Sequence, residues 1–322
     1  MRSRAFFARP QAWAVLFALV SWAAPAVAAD APPRWKFKEG ETLNYVLERN
    51  ADGKMSLAGN EFGIQMGMAF DTTWKCKSVN DDGSANLEQT VDRIRISMAS
   101  PLSGEVKYDS AGGPAPAGPI WTLLGPMVEG MLNQTFTLRV APNGAVSDIE
   151  LPAKLKEAFA KQVVGQNRQA GMGIGGNAFN EKGIKQLISQ AVVPLPETAE
   201  KDVTWTQAFE NEIPFLGKEI AETTYSLAGD EDVDGKKLTK ISSKTEVLFE
   251  PEANPRAEME IVEQDSSATA YFDAAAGHLV KSDGKQTTVK EISGQQEVSQ
   301  NITETFKMYL GKSPAAEAER KE

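Results

Sequence analysis

From Ile64 onward, apolar and polar positions alternate. The even positions read Ile64, Met66, Met68, Phe70, Thr72, Trp74 and Cys76, while the odd ones are mostly Gln65, Gly67, Asp71, Thr73, Lys75 and Lys77. A two-residue period held this long predicts a long strand with one buried face. Asp81-Asp82-Gly83 supplies a turn, and a second alternating run, 85–98, slips phase near Val91, which predicts a hairpin carrying a bulge. Shorter strands are expected at 43–48 and 105–108.

The texture changes in the Gly- and Pro-rich run 112–119, where Pro119 is placed to open a helix. Ile120, Leu123, Leu124, Met127, Val128 and Met131 then recur three and four residues apart on one face, with Gly125-Pro126 expected to kink it. Pro142-Asn143-Gly144 reads as a hairpin turn between strands at 136–140 and 145–149. Two further amphipathic helices are marked by Leu155, Ala158, Phe159 and Val163, and by Ile184, Leu187, Ile188 and Ala191, the second stopped by Pro194 and Pro196. A Gly-rich loop, 165–183, joins them. Strands are then expected at 203–210, 220–227, 237–249, 257–263, 268–272, 279–289 and 302–310, the last closing the sheet. In the third of these, Thr239, Ile241, Ser243, Thr245, Val247 and Phe249 share a face.

The pattern predicts a mainly β (α+β) protein: long curved antiparallel sheets in two strand-rich halves, with a few short helices between and against them. The N-terminal half is expected at 29–150 with a helix at 120–133, a helical connection at 151–200, and the C-terminal half at 201–312. Residues 313–322 read as a solvated tail. Val106-Lys107-Tyr108-Asp109-Ser110-Ala111-Gly112 resembles the stretch from Thr269 to Gly277, each a strand ending in aromatic-Asp and then a turn, as an internal repeat would.

Residues 1–28 stand outside this pattern. Arg2, Arg4 and Arg9 precede an apolar run, 12–20, and a small-residue stretch ending Ala26-Val27-Ala28, the order of a cleavable secretory signal. The run is short for a permanent anchor, and no later stretch resembles a transmembrane helix. Loss of the three arginines would take the formal net charge from −10 to −13. So acidic a surface repels phosphate backbones and anionic headgroups, which excludes nucleic acid as a partner. Cys76 is the only cysteine, so there is no intramolecular disulfide and no cysteine at the cleavage site to carry a lipid. The expected place is the periplasm or the extracellular space, free of a lipid anchor and of an integral membrane segment.

Candidate chemistry is sparse. His278 is the only histidine and is expected as an exposed hairpin residue, with no G-x-S-x-G elbow to serve. Cys76 shares the apolar face of Trp74 and reads as a buried, inert thiol. Asp230-Glu231-Asp232-Val233-Asp234-Gly235 begins like a calcium loop, yet its twelfth position is Ile241, so a charged hairpin tip is expected. Gly171-Met172-Gly173-Ile174-Gly175-Gly176 follows a helix where a dinucleotide site would follow a strand. The carboxylates Asp92 and Glu88 are a weak hydrolytic pair. No metal or cofactor is expected, and no enzyme. Met66, Met68, Phe70, Trp74, Leu124, Met127 and Met131 are the expected ligand-binding residues: flexible thioethers on a helix closing over a curved sheet can leave an apolar space for a small molecule or lipid. A solid core that meets another envelope protein is the alternative.

On Lys38-Glu39-Gly40-Glu41-Thr42, Trp74-Lys75-Cys76-Lys77-Ser78-Val79, Asp92-Arg93-Ile94-Arg95, Tyr108-Asp109-Ser110 and Phe272-Asp273 with Gly277, the chain resembles a family of exported bacterial proteins. That family is best represented in planctomycetes and catalogued only as a domain of unknown function. The resemblance implies compartment and fold and no activity. In architecture the chain is similar to the half-barrels of periplasmic lipoprotein carriers and related lipid binders, an analogy of fold.

Overall fold

The computed structural model describes residues 31–313 except 58, 102–103, 166–179, 214–215, 254, 256 and 295–296. The expected leader, the glycine motif at 171–176 and the tail beyond Ser313 lie outside the described residues. In chain order the elements are β1 (Thr42–Leu57), β2 (Asn60–Val79), β3 (Ala85–Ser100), β4 (Gly104–Asp109), α1 (Pro119–Met131), β5 (Thr135–Val140), β6 (Val146–Glu150), α2 (Ala153–Gly165), α3 (Glu181–Gln190), β7 (Thr204–Ile213), β8 (Gly217–Val233), β9 (Lys236–Pro251), β10 (Glu258–Asp273), β11 (His278–Ser293) and β12 (Val298–Leu310). The strands form one antiparallel sheet in the order β6-β5-β3-β2-β1-β12-β11-β10-β9-β8-β7, with β4 beside β3. Its end strands β6 and β7 do not pair, so the sheet is open.

The alternation in β2 becomes burial. Ile64, Phe70, Thr72, Trp74 and Cys76 are buried, while Gln65, Lys75 and Lys77 are exposed. The β2–β3 register steps from Asp71↔Arg93 to Thr72↔Val91, leaving Asp92 as the extra residue of the bulge expected near Val91. At the turn, an Asp82 carboxylate oxygen accepts from the Ser84 N–H at 2.9 Å and the Ser84 hydroxyl at 2.6 Å, fixing the reversal locally.

Four expectations are corrected. The first strand runs through Leu57, because its polar stretch Asn50–Lys54 is hydrogen-bonded between β2 and β12 and needs no apolar alternation of its own. The strands expected at 257–263 and 268–272 are one strand, β10, carrying a bulge at Val262. The last strand, β12, lies mid-sheet between β1 and β11 and joins the halves there, closing nothing. Ser313 is buried, its hydroxyl bridging Arg95 and Asp71 at 2.9 Å each, so the C-terminal segment remains tied to the sheet at that residue.

The core gathers where the helices cover the N-terminal half. Trp35 stands edge-on to Phe272 at 5.2 Å and stacks on Phe37 at 5.7 Å, while Trp74 meets Tyr45 at 4.9 Å. The Trp35 indole donates to the Val193 carbonyl, and the Tyr45 hydroxyl to that of Leu279, so the buried polar ends of both rings are paired. Burial pushes the Tyr45 hydroxyl far above its ordinary range, with Glu41 adding to the effect.

Candidate functional site

α1 bridges β4 and β5 along the free side of β3. β4 pairs with the far end of β3 and β5 with its beginning; between them the Asn133 N–H donates to the Val91 carbonyl at 2.8 Å. Pro at its first turn starts α1 after Gly118, without a side-chain cap. Gly130 lets α2 approach, since a Cβ there would stand 2.9 Å from the Leu155 Cα. This packing sets the residues expected to hold a ligand. Phe70, Trp74, Leu124 and Met131 belong to one continuous buried cluster, Met66 and Met68 pack half-buried at its margin, and Met127 is buried. Two polar atoms are buried there without a hydrogen-bond partner, the Trp74 Nε1 and the Gln89 Oε1, on residues paired across β2 and β3.

The other candidates resolve singly. His278 is half-buried, against the exposed position expected, because the segment carrying Lys36 lies over its turn: the Lys36 N–H donates to the Gly277 carbonyl at 2.9 Å and the Lys36 ammonium to the Ala274 carbonyl at 2.8 Å. Cys76 is buried, and its thiol is pushed up chiefly by burial and then by Glu41, which keeps it protonated and unreactive. Asp92 accepts from the Thr73 hydroxyl at 2.6 Å, while Glu88 pairs with Lys77 at 3.2 Å, so each carboxylate has its own partner. The acidic run is a hairpin tip, with Asp234 and Gly235 both at positive φ between β8 and β9. Glu231 pairs with Lys240, whose hydrogen bond holds that carboxyl below the usual range.

One arrangement escaped the sequence. β9 and β10 pair only along Thr239–Ser243 and Ala268–Phe272, although β9 continues on β8 to Pro251 and β10 extends back along β11 to Glu258. The two strands part like a fork, and side chains stitch the crotch. Ser266 accepts from the Thr245 N–H and donates to its carbonyl at 2.9 Å. One step further, Gln264 accepts from the Val247 N–H at 2.7 Å and donates to its carbonyl at 3.1 Å. A short side chain followed by a long one tracks the widening gap, each replacing a pair of ladder bonds. Beyond Gln264 lies an open hollow of about 790 Å³ faced by Leu248, Phe249, Met259 and Ile261. A smaller one, about 540 Å³, adjoins it at Pro251 and Glu252. The signal available in the sequence was the polar run Gln264–Ser267, which interrupts the apolar rhythm of β10 where its side chains turn to β9.

A family model described as a family of unknown function, DUF6263, matches residues 82–279. No curated protein matches the chain. Among solved structures, lipovitellin, described for its lipid–protein interactions, is similar at 12% identity and a TM-score of 0.44 over 86% of this chain and 25% of that one, so the chain spans a quarter of its length. An exported protein of YmcC-like fold from Bacteroides fragilis is similar at 8% identity and a TM-score of 0.22, over 84% of this chain and 97% of that one. DynF of the dynemicin biosynthesis pathway of Micromonospora chersina is similar at 9% identity and a TM-score of 0.22, over 96% of each chain.

Proposed function

This chain belongs to the DUF6263 family, and on that premise we propose that it is a non-enzymatic, exported cell-envelope protein that binds partners on the surface of its sheet and keeps a solid interior. The observation that carries this is the burial of Phe70, Trp74, Leu124 and Met131 in one cluster with their neighbours. A space for a lipid chain would have to open where these side chains already meet. Export is supported by the signal-like residues 1–28, and none of the described helices is long and apolar enough to cross a membrane. The absence of catalysis is supported by a sole cysteine kept protonated and a sole histidine under the Lys36 segment.

A second reading, an apolar ligand at the margin of this cluster, is favoured by the half-buried Met66 and Met68. Native mass spectrometry of protein purified from its own host separates the two. A mass equal to residues 29–322 with no adduct, and no uptake of a hydrophobic dye, is expected under the first reading. Co-purified lipid lost in Met66→Glu would overturn it in favour of the second.

A further inference from the structure

We infer that the fork between β9 and β10 is a docking groove for an extended peptide segment of a partner protein in which basic and apolar residues alternate. The inference rests on the surface-binding reading above and names the partner class. Backbone geometry argues for a strand. Thr245 and Val247 turn their N–H and C=O toward β10 and find Ser266 and Gln264 there. By the two-residue period Phe249 aims its own N–H and C=O the same way, where the β10 ladder has ended. An inserted strand would supply those missing bonds, as in β-augmentation.

Side chains argue for the composition. Of the three large hydrophobic residues that stand exposed among the described residues, two flank this fork: Leu248 at 47% and Val262 at 53%. Strands do not usually leave such residues in water beside an unpaired edge, because that combination invites association. Glu252, Glu258, Glu260 and Glu291 rim the hollow, and its described lining includes no lysine or arginine. The nearby Lys290 is engaged by Glu219, and among the described residues no lysine or arginine pairs with any of these four glutamates. A strand alternating in character would lay its apolar side chains on Phe249, Met259 and Ile261, which share one face, and turn its cations to Glu258, Glu260 and Glu291 on the other.

The test uses the full processed chain and a labelled peptide of about six residues alternating Val and Lys, the length that spans the fork at about 3.3 Å per residue. Three controls accompany it: a Val/Glu peptide, a Val/Lys peptide of equal charge interrupted by Pro, and the triple variant Glu252→Gln, Glu258→Gln, Glu260→Gln, checked for folding by circular dichroism. Saturable binding by the Val/Lys peptide is expected, weakened about tenfold or more by the triple variant and by Pro, with slowed amide exchange at Phe249 and Ile261. Unchanged affinity in the triple variant, equal binding of the Pro peptide, or protection elsewhere on the sheet would each overturn the groove. Lipid retained in the native mass would instead overturn the surface-binding reading, whatever the peptide does.

Discussion

Lys290 on β11 makes an ion pair with Glu219 on β8, although β9 and β10 lie between those strands in the sheet. Lys290 is in register with Ile261 of β10, and Glu219 with Phe249 of β9, so the bond crosses the sheet at the level of the fork. Such a contact requires the sheet to bend there, and it places a clamp beneath the parted strands. Both side chains are largely shielded, at 22% and 18% exposure, so the pair is screened less than a surface bridge.

Removing the clamp should loosen the fork more than the rest of the sheet. Lys290→Met is expected to cost about 1 kcal/mol and to speed amide exchange at Phe249 and Ile261 while leaving Tyr45 protected. A double-mutant cycle with Glu219→Gln should return a coupling of about 0.5–1 kcal/mol. Additive effects of the two changes would show that the pair does no clamping.

The stitches can be cut one at a time. Gln264→Ala leaves the N–H and C=O of Val247 without their partner, and stranded buried backbone groups cost about 1–3 kcal/mol. Urea unfolding should register that loss. Gln264→Glu, which retains the acceptor and not the amide donor, should fall between wild type and Ala.

Acid should weaken a specific bond on the N-terminal half. Arg93 grips Asp109 with two nitrogens at 2.8 and 2.7 Å, and that hydrogen bonding holds the Asp109 carboxyl below the usual range. A depressed carboxyl stabilises the fold at neutral pH, and the contribution is lost as pH falls from about 3.9, the ordinary aspartate value, through the lowered one. Asp109→Asn should therefore cost about 1 kcal/mol near neutrality, and the difference from wild type should shrink in unfolding curves taken at progressively lower pH. A constant difference would show that the ion pair contributes nothing.

Two glycines with nearly the same backbone separate strain from contact. Gly277 and Gly235 sit at φ +80° and +76°; a Cβ on Gly277 would lie 2.3 Å from the Lys36 Cβ, whereas one on Gly235 would meet nothing within 4 Å. Gly235→Ala should cost about 1–2 kcal/mol for the left-handed conformation alone. Gly277→Ala should cost about 1–3 kcal/mol more, because the Lys36 backbone must move. Equal melting temperatures for the two variants would contradict that close approach.

The strands were legible wherever one face is buried, as in β2, where burial alternates from Phe70 to Cys76 as the sequence does, while Met66 to Ala69 are all half-buried. α1 was legible from its apolar spacing and Pro119. Legibility failed where partners on both sides replace local pattern: Asn50–Lys54 carry no apolar rhythm yet sit squarely between two strands. Pairing order is a relation between distant residues, so nothing near 302–310 announces that β12 belongs between β1 and β11. Of the ligand residues expected on β2 and α1, Phe70, Trp74, Leu124 and Met131 meet in one buried cluster, and side-chain packing, which a sequence pattern does not carry, decides whether such a face encloses space. The fork was hidden because Gln264 and Ser266, read as a break, are polar side chains bonded within the sheet plane.

The adjacency of β1 and β12 dictates an order of assembly. Every pairing in the sheet that does not involve β12 can be found before that strand is made; the seams of β12 with β1 and with β11 cannot, because β12 follows every other strand in the chain. Until then Tyr45–Leu57 and the facing side of β11 are bare borders, able to adhere to any strand that passes. A product cut short before Val298 is thus a pair of unjoined, adhesive sheets, and those borders stay exposed until β12 is in place.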